Sequence, residues 1–258
     1  MLLMKKLISV IKSNTSLYIF GIFFVFIVWY IISIAQGYGN LIFPTPIDTI
    51  KKTVEILKEK TIYISILWSL LRTLIGFISS LLLALIMGSL AGTFKGVQTF
   101  LKPFIVVLKS APTAAFVFLF LIISGSRYAP IYIVFLLSFP ILYESIVGGM
   151  NNISSDVIDA VKIDGGNVYS IFTKIKLPLS LPYLLVGIAS SFALSFKTCI
   201  MAEIISGDTS YGLGSMITAY RNLEPANLTP IFSITLIAII IILLIDLMSN
   251  LINNLIKK

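Results

Sequence analysis

Six long apolar runs constrain this chain more than any other feature. They extend from Leu17 to Ala35, Ile62 to Leu90, Thr99 to Ser124, Ala129 to Met150, Leu181 to Ile205 and Thr229 to Leu251. A hydrocarbon core about 30 Å thick is crossed by roughly 20 helical residues, and each run approaches or exceeds that length. Inside lipid no water serves the backbone N–H and C=O groups, so runs of this length must satisfy them as helices. The expected fold is all-α: a polytopic membrane protein of six transmembrane helices, forming a single domain over residues 1–258. Composition agrees, with 58% hydrophobic and 12% charged residues against about 25% charged in soluble domains.

Several function classes fall away at once. The chain has no histidine and a single cysteine, Cys199. That leaves no internal disulfide, no zinc site of the usual His/Cys kinds and no histidine acid–base catalysis. The net charge of +8 is spread along the chain. No Lys/Arg block is interleaved with aromatics, so nucleic acid is not an expected partner. There is no Gly-rich phosphate loop, so any ATP hydrolysis belongs to another subunit. No cofactor is implied, and no close carboxylate pair lies in the spans for an embedded enzyme. A signal peptide has a shorter apolar region and a small-residue cleavage site, so the first run is expected to remain as a span.

The charges also orient the chain. With both termini inside, the inner segments carry Lys5, Lys6, Lys12, Lys95, Lys102, Lys162, Lys174, Lys176, Lys257 and Lys258. The outer segments carry Lys51, Lys52, Lys58, Lys60, Arg127 and Arg221. The positive-inside rule favours cytoplasmic termini. In the outer segment, Phe43-Pro44-Thr45-Pro46 makes a turn, after which Ile47, Ile50, Val54 and Leu57 recur at helical spacing against charged residues. This is an amphipathic helix that does not span. Two roles stay open for it: lying on the lipid surface, or packing on the outer face of the bundle. Arg72 sits near the start of the second span, where its side chain can snorkel to the interface.

The most informative polar interval is Asp159 to Pro178, DAVKIDGGNVYSIFTKIKLP, between the fourth and fifth spans. Connections are short by default, so a long ordered one implies a task. Ile158, Ala160, Val161 and Ile163 give a short helix, and Gly165-Gly166 supplies the φ > 0 position that ends it. Asn167 caps a second short helix with Val168, Ile171, Phe172 and Ile175 on one face. Pro178 and Pro182 are expected to stop it and start the fifth span. Tyr169 and Phe172 are anchors of the kind a partner's groove accepts.

This pattern resembles the EAA loop of ABC-type importer permeases, the binding-protein-dependent transport systems. The matching residues are Asp159-Ala160-Val161, then Gly165, then Ile175-x-Leu177-Pro178. Two positions depart: Asp159 stands for the family's Glu, and Val161 for its second Ala. Further short matches follow in the same order, FPTP, SLLRTLIGF (Ser69–Phe77), LKSAP, AEIISG (Ala202–Gly207) and GLG (Gly212–Gly214). Together they are similar to the nitrate/sulfonate/taurine branch, with Lys109 and Glu144 as departures. The resemblance implies the type I ABC importer permease fold in a bacterial plasma membrane. It also implies that residues 150–182 dock a cytoplasmic ABC ATPase through Asp159, Ala160, Val161, Gly165, Tyr169, Phe172 and Pro178. An extracytoplasmic binding protein and a second permease copy, making a homodimer, are the other implied partners.

Charges inside the spans are the remaining candidates. Lys109, Glu144, Lys197 and Glu203 each cost roughly 3 kcal/mol if left in lipid, so they face the bundle interior, a partner or a cavity. Lys109 lies about 15 Å into its span at helical rise, within reach of Glu144. Lys197 and Glu203 lie toward the outer end of the fifth span on different helix faces. They either line a solute path or hold helices together as ion pairs. Tyr128, Tyr132, Phe192 and Phe196 are open to the same two readings. A gradient-driven secondary transporter would favour internal repeats, of which none is clear. A receptor or scaffold is the other alternative.

Overall fold

The structure is a computed structural model that describes residues 14–35, 43–110, 112–207 and 211–256. The basic N-terminal lysines, residues 36–42, Ala111 and Lys257–Lys258 lie outside the described residues. The chain is 88% helix with no strand among the described residues. The helices are α1 (Asn14–Ala35), α2 (Pro46–Ile56), α3 (Lys60–Thr93), α4 (Lys95–Ser110), α5 (Thr113–Ser124), α6 (Ala129–Asn151), α7 (Ser155–Ile163), α8 (Val168–Ile171), α9 (Leu177–Ser206), α10 (Leu213–Leu223) and α11 (Thr229–Ile256). A π-helical segment, Phe172–Lys176, joins α8 to α9.

Four helical stretches are long and apolar enough to cross a membrane: Lys60–Thr93, Ala129–Asn151, Val168–Ser206 and Thr229–Ser249. The pair α4–α5, bent by 96°, makes a fifth if it is one crossing. A sixth crossing is not counted among the described residues, where the apolar part of α1 is Phe20–Ala35, shorter than 18 residues. The third expected span is a bent pair of helices. Pro112 donates no N–H and sits in extended backbone at the N-cap of α5, so the helix restarts there instead of continuing.

The chain divides into two compact units, one of residues 1–59 and 219–236, the other of residues 60–218 and 237–258. In the larger unit α3, α6 and α9 form the core. Contacts between them fix their directions. A Cβ on Gly76 would meet Val134, one on Gly88 would meet Ile146, and one on Gly92 would meet Met150. Partners rise together, so α3 and α6 run parallel. Parallel neighbours need a return crossing between them. The α4–α5 pair therefore carries the chain from the level of Thr93 back to that of Ala129, about 30 Å at helical rise. By contrast α9 is antiparallel to both. Ser138 meets Ser195 at 2.7 Å, Phe77 stacks edge-on with Phe192 at 5.1 Å, and Lys176 Nζ donates to Gly92 O at 2.7 Å.

Small residues make these approaches possible. Ser80, Ala84 and Ala91 of α3 and Ser180, Ala189 and Ser191 of α9 are buried along the contacts. In lipid, close backbone packing replaces the hydrophobic drive that water would supply. Phe77, Leu142, Tyr143, Ile146, Met150 and Leu184 fill the space between. The result positions two functional regions at opposite ends of this unit: α7–α8 beside the Gly92 end of α3, and the last turn of α9 beside Ser69.

In the smaller unit α2 is held against α1 and the start of α11. Thr45 is its N-cap: its side chain accepts from Asp48 N at 3.1 Å and donates to Asp48 Oδ2 at 2.7 Å. Pro46 occupies the first turn, where a missing N–H is harmless. Ser233 Oγ donates to Thr49 O at 3.0 Å, Ser33 Oγ to Phe43 O at 2.7 Å and Trp29 Nε1 to Pro44 O at 3.0 Å.

Candidate functional site: an exposed loop and a charged interior

The loop after α6 forms as its residues dictate. Helix α7 ends at Asp164, and Gly165 adopts φ 80°. Gly166 N donates to Val161 O at 2.8 Å, an approach so close that a Cβ on Gly166 would collide with Val161. Asn167 caps α8, its side chain accepting from Ser170 N at 2.9 Å. Pro178 does not stop this helix, contrary to expectation. The π turn widens the coil so that Leu177 N donates to Phe172 O, and the chain runs on as helix through Ser206. Proline fits because it falls in the first turn of α9, and Pro182 is likewise absorbed inside that helix.

The loop leaves a patch of apolar surface uncovered. Ile163 is 86% exposed, Tyr169 74% and Val168 59%. Asp159, Ala160, Gly165 and Pro178 are also exposed, and Val161 is half-buried. Asp159 pairs with Lys162 at 2.7 Å. Phe172 differs from Tyr169: it is half-buried and packs against the core between α3, α6 and α9. Ile163 is more exposed than either aromatic expected as an anchor.

The four interior charges separate into two arrangements. Glu203 is fully buried and Arg72 nearly so. Arg72 Nη1 meets Glu203 Oε1 at 2.8 Å and donates to Tyr211 O at 2.6 Å. Arg72 therefore does not snorkel; its charge is matched inside the bundle. Ser69 Oγ lies 2.8–2.9 Å from the two Glu203 oxygens and accepts from Leu213 N at 2.9 Å. Gly214 N donates to Glu203 Oε2 at 3.0 Å. The Gly212-Leu213-Gly214 motif now has a reason: a Cβ at Gly212 would fall 2.7 Å from the Glu203 carboxylate. Ser69 and Arg72 were not among the expected site residues. The signal for them was present, since Arg72 is a cation in an apolar run with a carboxylate unaccounted for in another.

Lys109 and Glu144 do meet, at 2.8 Å, with about half of each side chain exposed. Two cavities adjoin this pair. One, about 510 Å³, has Lys109 and Lys197 on its wall beside Leu137, Pro140 and Leu194. The other, about 490 Å³, has Glu144 on its wall with Gln98, Lys102 and Asn151. Lys197 has no ion-pair partner among the described residues. Glu203 lines neither cavity and stands apart from Lys109, Glu144 and Lys197. Of the aromatics, Phe196 is fully buried, Phe192 packs on Phe77, and Tyr128 and Tyr132 are about half exposed. Among the described residues no cluster of three or more Asp, Glu or Cys is arranged to hold a metal.

These features define a multi-pass helical membrane protein with an apolar surface loop at one end of its core and paired charges within. Residues 80–258 match the family described as the binding-protein-dependent transport system inner membrane component. The chain belongs to that family, and it is a transport permease. It is 26% identical over 71% of its length to a probable ABC transporter permease of Brucella melitensis, covering 74% of that protein. It is 26% identical to a putative aliphatic sulfonates transport permease of Bacillus subtilis, covering 76% of this chain and 73% of the other. The taurine transport system permease of Escherichia coli is 24% identical, with 74% and 70% covered. A chain in the crystal structure of an amino acid ABC transporter with histidines superposes with a TM-score of 0.66, covering 78% of this chain and 97% of that one at 15% identity.

Proposed function

We propose that this chain is the permease subunit of an ATP-driven importer that moves a small anionic or strongly polar solute. An extracytoplasmic binding protein delivers the solute, two permease copies form the pathway, and cytoplasmic ABC ATPases drive it. Both termini and residues 150–182 face the cytoplasm. The observation that carries the partner assignment is the uncovered Ile163, Val168 and Tyr169 on a helical loop outside the spans. A protein groove would bury that surface, with aromatic Tyr169 as its anchor. Asp159, Ala160, Val161, Gly165, Phe172 and Pro178 then shape the loop or contact the ATPase.

The solute class rests on Lys197, a cation on a cavity wall without a carboxylate beside it among the described residues. A cation within a membrane span is weakly screened, so it attracts an anion strongly. Lys109 stands on the wall of one cavity and Glu144 on that of the other, so a solute that visits both meets the pair. The relatives named for aliphatic sulfonates and taurine support the same class. The test is co-purification of the His-tagged chain with an ABC ATPase subunit from the same cell, followed by uptake in proteoliposomes with the binding protein. A stable complex whose formation is lost in Tyr169→Asp is expected. Membrane insertion with no ATPase bound to the unaltered chain overturns the reading.

A further inference from the structure

The amphipathic helix α2 turns the opposite face inward from the one its apolar residues mark. Thr49 and Thr53 are buried with Ile56, and their side chains donate back to Thr45 O and Thr49 O at 3.0 and 2.7 Å. Hydroxyls satisfied by their own helix can be buried without penalty. Ile47, Ile50 and Val54, at i, i+3 and i+7, are 56%, 48% and 50% exposed. Nothing among the described residues of the smaller unit covers them.

The level of this stripe follows from what holds α2. Ser233 lies four residues into α11 and Ser33 two residues before the end of α1. At helical rise those positions are about 6 and 3 Å inside the helix ends. An interfacial helix buries its apolar face about 5–10 Å into the headgroup and acyl boundary. The charges fit the same level. Lys51 and Lys58 flank Ile47 and Val54 at i+4 spacing and are exposed. The acids of the helix are already engaged: Asp48 with Thr45 and Glu55 with Lys52 at 3.0 Å. Glu55 accordingly holds the Lys52 ammonium above its usual pKa, in spite of some burial. Lys51 and Lys58 have no ion-pair partner among the described residues.

We propose that α2 is a monotopic membrane anchor: Ile47, Ile50 and Val54 enter the acyl boundary while Lys51 and Lys58 bind anionic phospholipid headgroups. The occupant is the bilayer rather than a protein, because the apolar stripe is narrow, is edged by free cations and sits at headgroup depth beside two apolar helices.

Nitroxide labels at positions 47, 50, 54, 48 and 55, each in a Cys199→Ser background, test it in lipid nanodiscs. The expected result is high oxygen and low nickel-chelate accessibility at 47, 50 and 54, with the reverse at 48 and 55. Equal nickel accessibility at all five positions overturns the anchor. Labels at 47, 50 and 54 that become shielded only when the binding protein is added overturn it in favour of a protein partner. A Lys51→Gln/Lys58→Gln variant tests the headgroup half. Retention of phosphatidylglycerol in native mass spectrometry should fall on the order of 10-fold or more, at about 1 kcal/mol per lysine, with phosphatidylcholine unchanged. Equal loss of both lipids, or no loss, overturns the anionic preference.

Discussion

Arg72 of α3 and Glu203 of α9 are separated by 131 residues and meet at 2.8 Å with almost no exposure. The pair ties the two helices at the end away from the loop and, through Ser69 and Gly214, holds the start of α10 as well. Removing one partner leaves a buried charge uncompensated, which costs about 3–5 kcal/mol. Arg72→Met and Glu203→Gln should each lower the thermal midpoint of the detergent-solubilised protein sharply. The double variant Arg72→Met/Glu203→Met should recover part of the loss, since two matched apolar groups replace two matched charges. Singles that unfold within a degree of the parent would show the pair is dispensable.

Gly76 of α3 and Gly96 of α4 are expected to be unequal. A Cβ on Gly76 meets Ile131 O at 2.5 Å, a backbone atom that cannot step aside, whereas one on Gly96 meets nothing within 4 Å. Gly76→Ala should destabilise by about 1–3 kcal/mol, the usual range for overpacking. Gly96→Ala should be neutral or stabilising by up to about 1 kcal/mol, because alanine is the better helix former. Both are read by thermal unfolding in the same detergent. Reversal of the order would mean that α3 and α6 do not pack as described.

Sidedness is open to labelling. Cysteines at Ser170 and Lys58 in a Cys199→Ser background should react with a membrane-impermeant maleimide from opposite sides, Ser170 from the cytoplasm. Accessibility of both from one side would remove the proposed orientation and, with it, the docking role of the loop.

For the interior, Lys197→Met should lower solute-stimulated ATPase activity of the reconstituted transporter by about 10-fold, or ~1.4 kcal/mol, without changing the yield of assembled complex. Lys109→Met should be partly rescued by Glu144→Gln, because the second change removes the carboxylate left unpaired by the first. Unaltered activity in both lysine variants would make these charges structural and end the argument for an anionic solute.

Much of this was legible in sequence because its causes are local. The turn at Gly165 and the Asn167 cap depend on residues within a few positions of each other, and both were expected. The Lys109–Glu144 contact was legible too, since two unlike charges in adjacent spans have few other ways to be satisfied. Arg72 was misread because a residue near a span end can snorkel or be buried. Only the contacts with Glu203 and Tyr211, remote in sequence, decide between them. Helix α2 was read correctly as amphipathic, but its inward face was not foreseeable. Threonines that bond to their own helix look polar in sequence and behave as packing residues in place. The continuity at Pro178 inverts simple expectation because proline costs a helix little in its first turn, where its missing N–H has no partner to lose.

The π turn at Phe172–Lys176 joins the short loop helix to α9 without an intervening coil. From Val168 to Ser206 the chain is a single rod almost 60 Å long at helical rise, with Lys176 pinned to Gly92 near one end and Glu203 clamped to Arg72 near the other. A rod transmits torque where a hinged linker would dissipate it. A twist applied at Tyr169 would then be carried along the rod toward the Glu203 clamp.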